Sequence, residues 1–223
     1  MVSWSSQISP DAQAKRYRLV LAELDGILQP DGTMHPSDAA ALRAAHAAGV
    51  KVVLASALPP QALHRYWAQL GLGTPVIALN GALVYDFPLH RQITGQSLQP
   101  AQLRLAMDAI QRVAPQATVG VQYGETWSAN RLSAASQEFI KRTGVWPKVI
   151  GDLSHDRDEP AYQLWVEVNP AVRLSLEAAL DHPGVNLAYY TEPARLVLQA
   201  ASASRGWALA ALANLLELPA HQV

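Results

Sequence analysis

Two carboxylates, Glu23 and Asp25, sit one residue apart at the end of an apolar run, Leu19-Val20-Leu21-Ala22, and Gly26 follows them. Side chains on a β-strand alternate between faces, so residues two apart point the same way. Glu23 and Asp25 are therefore expected to project together from the strand's carboxyl end, where Gly26 lets the backbone turn sharply. In open α/β sheets ligands bind at that end. A pair of acids there can hold a cation, or pass a proton to or from a substrate. A surface turn that merely carries two acids has the same pattern. Ser56 closes a second apolar run, 50–55, and Asn80-Gly81 closes a third, 75–79. Each could also serve only its own backbone, Ser56 as a helix cap and Asn80 as a residue that tolerates a tight turn. Arg205 stands near the start of the last amphipathic stretch, as an anion-binding group or as a solvated residue in a helix's first turn.

The elements between these points alternate. Pro36 suits the first turn of a helix over 36–46, and Gly49 stands where a helix C-terminus places glycine. The β-branched run 50–55 reads as a buried parallel strand, 59–70 as a second helix closed by Gly71, and 75–79 as a third strand. Strands and helices in this order build right-handed βαβ units around a parallel sheet. Residues 82–85 read as a short strand leaving that layer. From Phe87 the rhythm changes. Helices over 100–113, 134–143 and 170–180 mix with strands over 118–123, 162–168, 185–190 and 195–199, and 151–160 is a polar loop. Along 162–168, Tyr162, Leu164, Val166 and Val168 face one way, and Gln163, Trp165 and Glu167 the other. This region reads as an antiparallel sheet with helices on one face, inserted into the first layer. A helix over 204–218 closes the chain, with Leu209, Leu212, Leu215 and Leu216 as its apolar stripe.

Of 223 residues, 50% are hydrophobic and 16% charged, enough to build a packed core. A net charge of −1, with Lys and Arg scattered, argues against nucleic acid or an anionic membrane surface as the main partner. The lack of cysteine removes disulfides, thiolate nucleophiles and Cys-ligated zinc together. Residues 1–15 lack the apolar core of a signal peptide, and no apolar run approaches the ~20 residues of a membrane helix. The expected setting is the cytoplasm.

On its motifs the chain resembles the haloacid dehalogenase (HAD) superfamily of phosphatases, in its Cof-type branch, HAD-IIB. Glu23-Leu24-Asp25-Gly26-Ile27-Leu28 stands where the family has Asp-x-Asp-Gly-Thr-Leu. Leu54-Ala55-Ser56 matches the strand that ends in Thr or Ser, Asn80-Gly81-Ala82 matches the branch's Asn-Gly-Ala, and Arg205-Gly206 stands for Lys-Gly. The resemblance implies a HAD-like Rossmannoid parallel-sheet core (17–86 and 202–223) behind a polar tail (1–16), with an inserted α/β cap domain (87–201). It implies Mg2+-dependent hydrolysis of small phosphorylated metabolites, sugar phosphates above all. In that scheme Glu23 holds the nucleophile's place and Asp25 is the general acid/base, both serving as Mg2+ ligands. Gly26, Ser56, Asn80, Gly81 and Arg205 surround the phosphate and substrate.

The departures from the family pattern carry expectations of their own. Glu23 is one methylene longer than aspartate, Ile27 replaces a hydroxyl residue, Leu58 replaces an arginine, and Arg205 offers a planar fork in place of a point charge. The family's fourth motif, Gly-Asp-x-x-Asn-Asp, supplies further acids for Mg2+ and does not occur after the closing helix. A core incomplete at its C-terminus, weak metal binding and impaired turnover are expected from this. The alternatives are a catalytically dead relative that binds a phosphorylated ligand or a partner, and a piece of a longer enzyme. Without a neighbouring strand, 19–24 would keep an unpaired edge, which predicts a homodimer or poor solubility.

Overall fold

The computed structural model describes residues 17–29, 31–153 and 160–223. The expected tail 1–16, and Asp156 and Asp158 of the expected loop, lie outside the described residues.

A first sheet has the order β1 (Leu19–Glu23), β2 (Lys51–Ala55), β3 (Val76–Ala78), β4 (Leu83–Asp86) and β5 (Arg91–Gly95). β1, β2 and β3 run parallel, with Glu23 beside Ala55 and Ala55 beside Ile77, so their carboxyl ends finish close together. Between them run α1 (Pro36–Ala47), with proline in its first turn, and α2 (Pro60–Leu70), which ends at Gly71 in the left-handed conformation (φ 65°). Val52 and Leu54 face these helices, meeting Leu63, Tyr66 and Leu70, while Val53 and Ala55 point to the opposite layer. Each such buried aliphatic side chain contributes roughly 1.5–3 kcal/mol, which is why the run is apolar on both faces.

Two expectations about this sheet are corrected. The short strand at 82–85 does not leave the layer: β4 pairs antiparallel with β3, Val84 opposite Ile77. β5 then pairs with β4, so the sheet continues beyond Phe87, where the insertion was expected to begin. The sequence Arg91-Gln92-Ile93-Thr94-Gly95 carries one large apolar residue and gives little strand signal.

The second sheet contains β6 (Val119–Tyr123), β7 (Thr126–Ala129), β8 (Val149–Ile150), β9 (Gln163–Glu167), β10 (Val185–Thr191) and β11 (Ala194–Ala200), in the order β10-β11-β9-β6-β7-β8. Its neighbours pair antiparallel except β7 and β8. α3 (Pro100–Val113) and α5 (Arg173–Leu180) cover one face, packing Leu103, Ile110, Leu176 and Leu180 on Leu164, Val166, Leu196 and Leu198. α4 (Ala134–Thr143) lies on the other face, against Trp127, Trp165 and Val197, so the helices do not share one face as expected. Trp165 faces that side because Gly120 lies opposite it in the ladder; a Cβ on Gly120 would overlap the indole.

The closing helix α6 (Arg205–Leu215) returns to the first sheet and covers its second face, with Ala208 and Leu212 on Leu19, Val53, Ala55 and Ile77. Polar bonds seat the second sheet on the first: Gln199 Nε2 donates to the Leu79 carbonyl (2.5 Å) and Tyr162 Oη to Gln92 (2.6 Å). Among the described residues no helix is long and apolar enough to cross a membrane. β1 is the outer strand of its sheet among them, and Val20 is 38% exposed.

Candidate active site

The carboxyl ends of β1, β2 and β3 bring the chemistry-bearing residues to one place. β1 stops at Glu23, and Leu24–Gly26 forms a 3-10 turn anchored by the buried Leu24. Asp25 therefore reaches the site through that turn and not by strand alternation, yet it lines the same cleft as Glu23. After β3 the chain enters a second 3-10 turn, Leu79–Gly81, in which three successive residues have positive φ (53°, 55° and 92°). For Leu79 this conformation is an outlier, of the kind that persists where the surroundings fix it and that clusters at functional sites. The turn aims Asn80 into the cleft.

Arg205 ties the cluster together. Its Nε lies 2.9 Å from Glu23 Oε2, while its Nη2 donates to Glu23 Oε1 (3.0 Å) and to Asn80 Oδ1 (2.9 Å). Nη1, on the side of the guanidinium away from Glu23, makes no hydrogen bond among the described residues. Arg205 is the first residue of α6, where a cation opposes the helix dipole by about 0.3–1 kcal/mol. That placement serves the site more than the helix. Burial raises the pKa of the Glu23 carboxyl above its ordinary 4.5; the Arg205 charge opposes that rise and the Asp25 charge adds to it.

Three residues expected around the phosphate have other contacts. Ser56 is wholly buried. Its hydroxyl donates to the Asp25 carboxylate, 3.2 Å from each oxygen, and accepts from Leu58 N (3.1 Å). With Ala57 N also donating to Asp25 (3.3 Å), Ser56 positions the acid and does not line the cleft. Gly81 does not line it either: a Cβ there would overlap the Ser204 carbonyl, so its bareness lets the start of α6 approach and sets Arg205 in place. Gly26 is exposed and lies outside the cleft, and with open space around it and no left-handed φ the turn does not require its bare Cα, contrary to expectation. The structure thus gathers Glu23, Asp25, Asn80 and Arg205, and places Ser56 and Gly81 directly behind them.

A cleft of about 540 Å3 opens above this cluster, within the roughly 300–1,000 Å3 usual for small-molecule sites. Its floor is the first sheet's strand ends; its far wall is the α4-bearing face of the second sheet, with Trp127, Trp165, Phe139 and Arg195. Tyr190 joins the two sides, its hydroxyl accepting from Asn80 Nδ2 (3.2 Å). None of these wall residues was singled out from the sequence. Strand alternation had grouped Trp165 with Gln163 and Glu167, and all three line the cleft.

The described residues do not fit an Mg2+ ion. Such a site favours octahedral oxygen ligands. Both Glu23 oxygens are engaged by Arg205, Asp25 is held by Ser56 and Ala57, and no group of three His, Cys, Asp or Glu could hold a metal among the described residues.

Comparison with known proteins agrees with this architecture. The solved structure of BT1666 from Bacteroides thetaiotaomicron, a phosphatase of the haloalkanoate (HAD) superfamily, superposes with a TM-score of 0.75 at 19% identity, over 96% of this chain and 78% of that one. The HAD subclass IIB sugar phosphatase BT4131 gives 0.74 at 15% identity, over 91% and 77%. At such identities the likeness carries the fold alone. Pyridoxal phosphate phosphatase YbhA of Escherichia coli (strain K12) is 35% identical over 71 residues, a span of 31% of this chain and only 26% of that protein. A model of the haloacid dehalogenase-like hydrolases matches residues 20–223, from the second residue of β1 through α6, and with that span the chain belongs to the haloacid dehalogenase-like hydrolase family.

Proposed function

We propose that the chain is a phosphomonoester phosphatase acting on a small phosphorylated metabolite in the cleft above Glu23. The observation that carries this reading is that one cleft gathers Glu23, Asp25, Asn80 and Arg205, with Arg205 bonded to both Glu23 and Asn80. A phosphoryl group entering this cleft would lie among the Glu23 and Asp25 carboxylates, the Asn80 amide and the Arg205 guanidinium. The Glu23 carboxylate attacks phosphorus, the bond to the leaving oxygen breaks, and Asp25 gives that oxygen its proton. A water then attacks the phosphoryl group and passes its proton to Asp25; the bond to Glu23 breaks and phosphate leaves. Ser56 and Ala57 keep Asp25 in place for both proton transfers. Mg2+ is expected from the family resemblance, but the described carboxylates do not make its site and no step is routed through it.

Relatives named for pyridoxal phosphate and for sugars make both classes candidate substrates here. The extra methylene of Glu23 slows attack, since about 1 Å of misplacement can cost on the order of a hundredfold. Release of inorganic phosphate from a panel of phosphorylated metabolites, with and without added Mg2+, tests the proposal. Slow turnover that disappears in Glu23→Gln is expected; no release above buffer at high enzyme concentration contradicts it. A second reading, ligand binding without hydrolysis, is favoured by one observation: both Glu23 oxygens are already held by Arg205. Thermal stabilisation by phosphorylated ligands without any turnover would select it.

A further inference from the structure

Two cations on the far wall of the cleft have no counter-ion. Arg195 and Arg142 both line it, and among the described residues neither guanidinium makes a hydrogen bond or an ion pair. Arg195 is half-buried and lies over the Trp165 ring (5.8 Å to its centre), which leaves its in-plane N–H groups free to donate. Glu167 stands opposite it in the β9–β11 ladder, but the Glu167 carboxylate accepts from Ser133 Oγ (2.6 Å). The wall's other acid, Glu192, is exposed on the turn between β10 and β11. Burial lowers the Arg195 pKa, Glu167 pulls the other way, and the charge of Arg142 adds to the lowering. A guanidinium stays protonated all the same, so the fold bears the cost of a half-buried, unpaired charge with a like charge nearby. An anion arriving from solution would remove that cost.

Tyr190 links this wall to the catalytic end. The Asn80 amide is oriented by Arg205 Nη2, a pure donor, which meets Oδ1 at 2.9 Å; Nδ2 is thereby turned to Tyr190 Oη (3.2 Å). The tyrosine oxygen accepts there, and its own proton is left for another acceptor. Tyr190 is also the cross-strand partner of Arg195 in the β10–β11 ladder, with the two side chains on one face. A single Asn80 amide thus separates the Glu23–Arg205 pair from a set of donors formed by Tyr190, Arg195 and Arg142, within one cleft of about 540 Å3.

We infer that the phosphoester substrate carries a second negative group, a carboxylate or another phosphate, held at its far end by Arg195 together with Arg142 and the Tyr190 hydroxyl. This rests on the phosphatase reading above and adds a requirement of charge to it, whatever the carbon skeleton between the two anions.

The test compares 6-phosphogluconate with glucitol 6-phosphate, which differ only in a terminal carboxylate against a terminal alcohol. Fructose 1,6-bisphosphate against fructose 6-phosphate asks the same of a second phosphate, and the pair with the larger ratio identifies the group. Expected is a kcat/KM higher by roughly tenfold for the member with the extra anion, the scale of a hydrogen bond to a charged group. Arg195→Met should bring that ratio close to one. Because Arg195 packs on Trp165, the exposed Arg142→Ala provides a milder change that should lower the ratio several-fold. Ratios of one in both pairs, a preference for the members without the extra anion, or a ratio unmoved in both variants overturns the inference and leaves the phosphatase reading standing. If none of the four esters is hydrolysed, the phosphatase reading fails, and thermal stabilisation decides the second anion site. Greater stabilisation by the member with the extra anion, reduced in Arg142→Ala, supports the site; equal or absent stabilisation overturns it.

Discussion

Glu23 is one methylene longer than an aspartate would be in its place, and the Arg205 fork grips both of its oxygens. Its pKa is raised, chiefly by burial, and both nucleophilic attack and the pair with Arg205 need the ionised form. Activity is therefore lost as pH falls through a value above that of a free glutamate. The acidic limb of the kcat/KM profile is expected above 4.5, and a limb at or below that value contradicts the assignment. Ser56 offers a second check. Because its hydroxyl serves Asp25, Ser56→Ala should reduce kcat by on the order of tenfold, the scale of a lost hydrogen bond to a charged group, with KM little changed. A rise in KM with kcat intact would mean that Ser56 touches phosphate after all. At this scale the sequence showed which residues end the strands but not where their side chains go. A serine after an apolar run reads the same whether its hydroxyl faces a ligand or a neighbouring acid. In the structure Ser56 is buried and its hydroxyl bonds to the Asp25 carboxylate.

The turn Leu79–Gly81 and the start of α6 form one unit. Gly81 has φ 92° and its bare Cα faces the Ser204 carbonyl. Gly81→Ala should destabilise the fold by about 1–3 kcal/mol through backbone strain, with more from the clash, and should lower activity by shifting Arg205. Gly49, also at positive φ (87°), has open space around it, so Gly49→Ala should show the strain in denaturant unfolding and leave KM unchanged. Equal activity in the two variants would contradict the positioning role. Most elements were legible because their signals are local: proline in the first turn of α1, α2 and α3, glycine after α2 and α4, apolar runs for β2 and β3. β5, β7 and β8 were not, since short strands with few apolar residues are defined by their partners and not by their own pattern.

Over the whole molecule, the cleft exists because the second sheet turns its α4-bearing face toward the strand ends of the first. That placement depends on long-range contacts, such as Tyr190 with Asn80, which no periodicity records. The outer edge of β1 remains open among the described residues, with only Arg18 N bonding to the Gln222 carbonyl (2.8 Å) beyond the ladder with β2. An open apolar edge predicts self-association of this 223-residue chain by strand pairing. Light scattering at high concentration should show a dimer, and a monodisperse monomer contradicts it. The central claim is chemical, that Glu23 takes the phosphoryl group. Acid quenching during turnover, followed by peptide mapping in a mass spectrometer, reads it directly. The account predicts a phosphoryl group on Glu23 that is missing in Glu23→Gln; turnover with the label elsewhere, or with no covalent label at all, would contradict it.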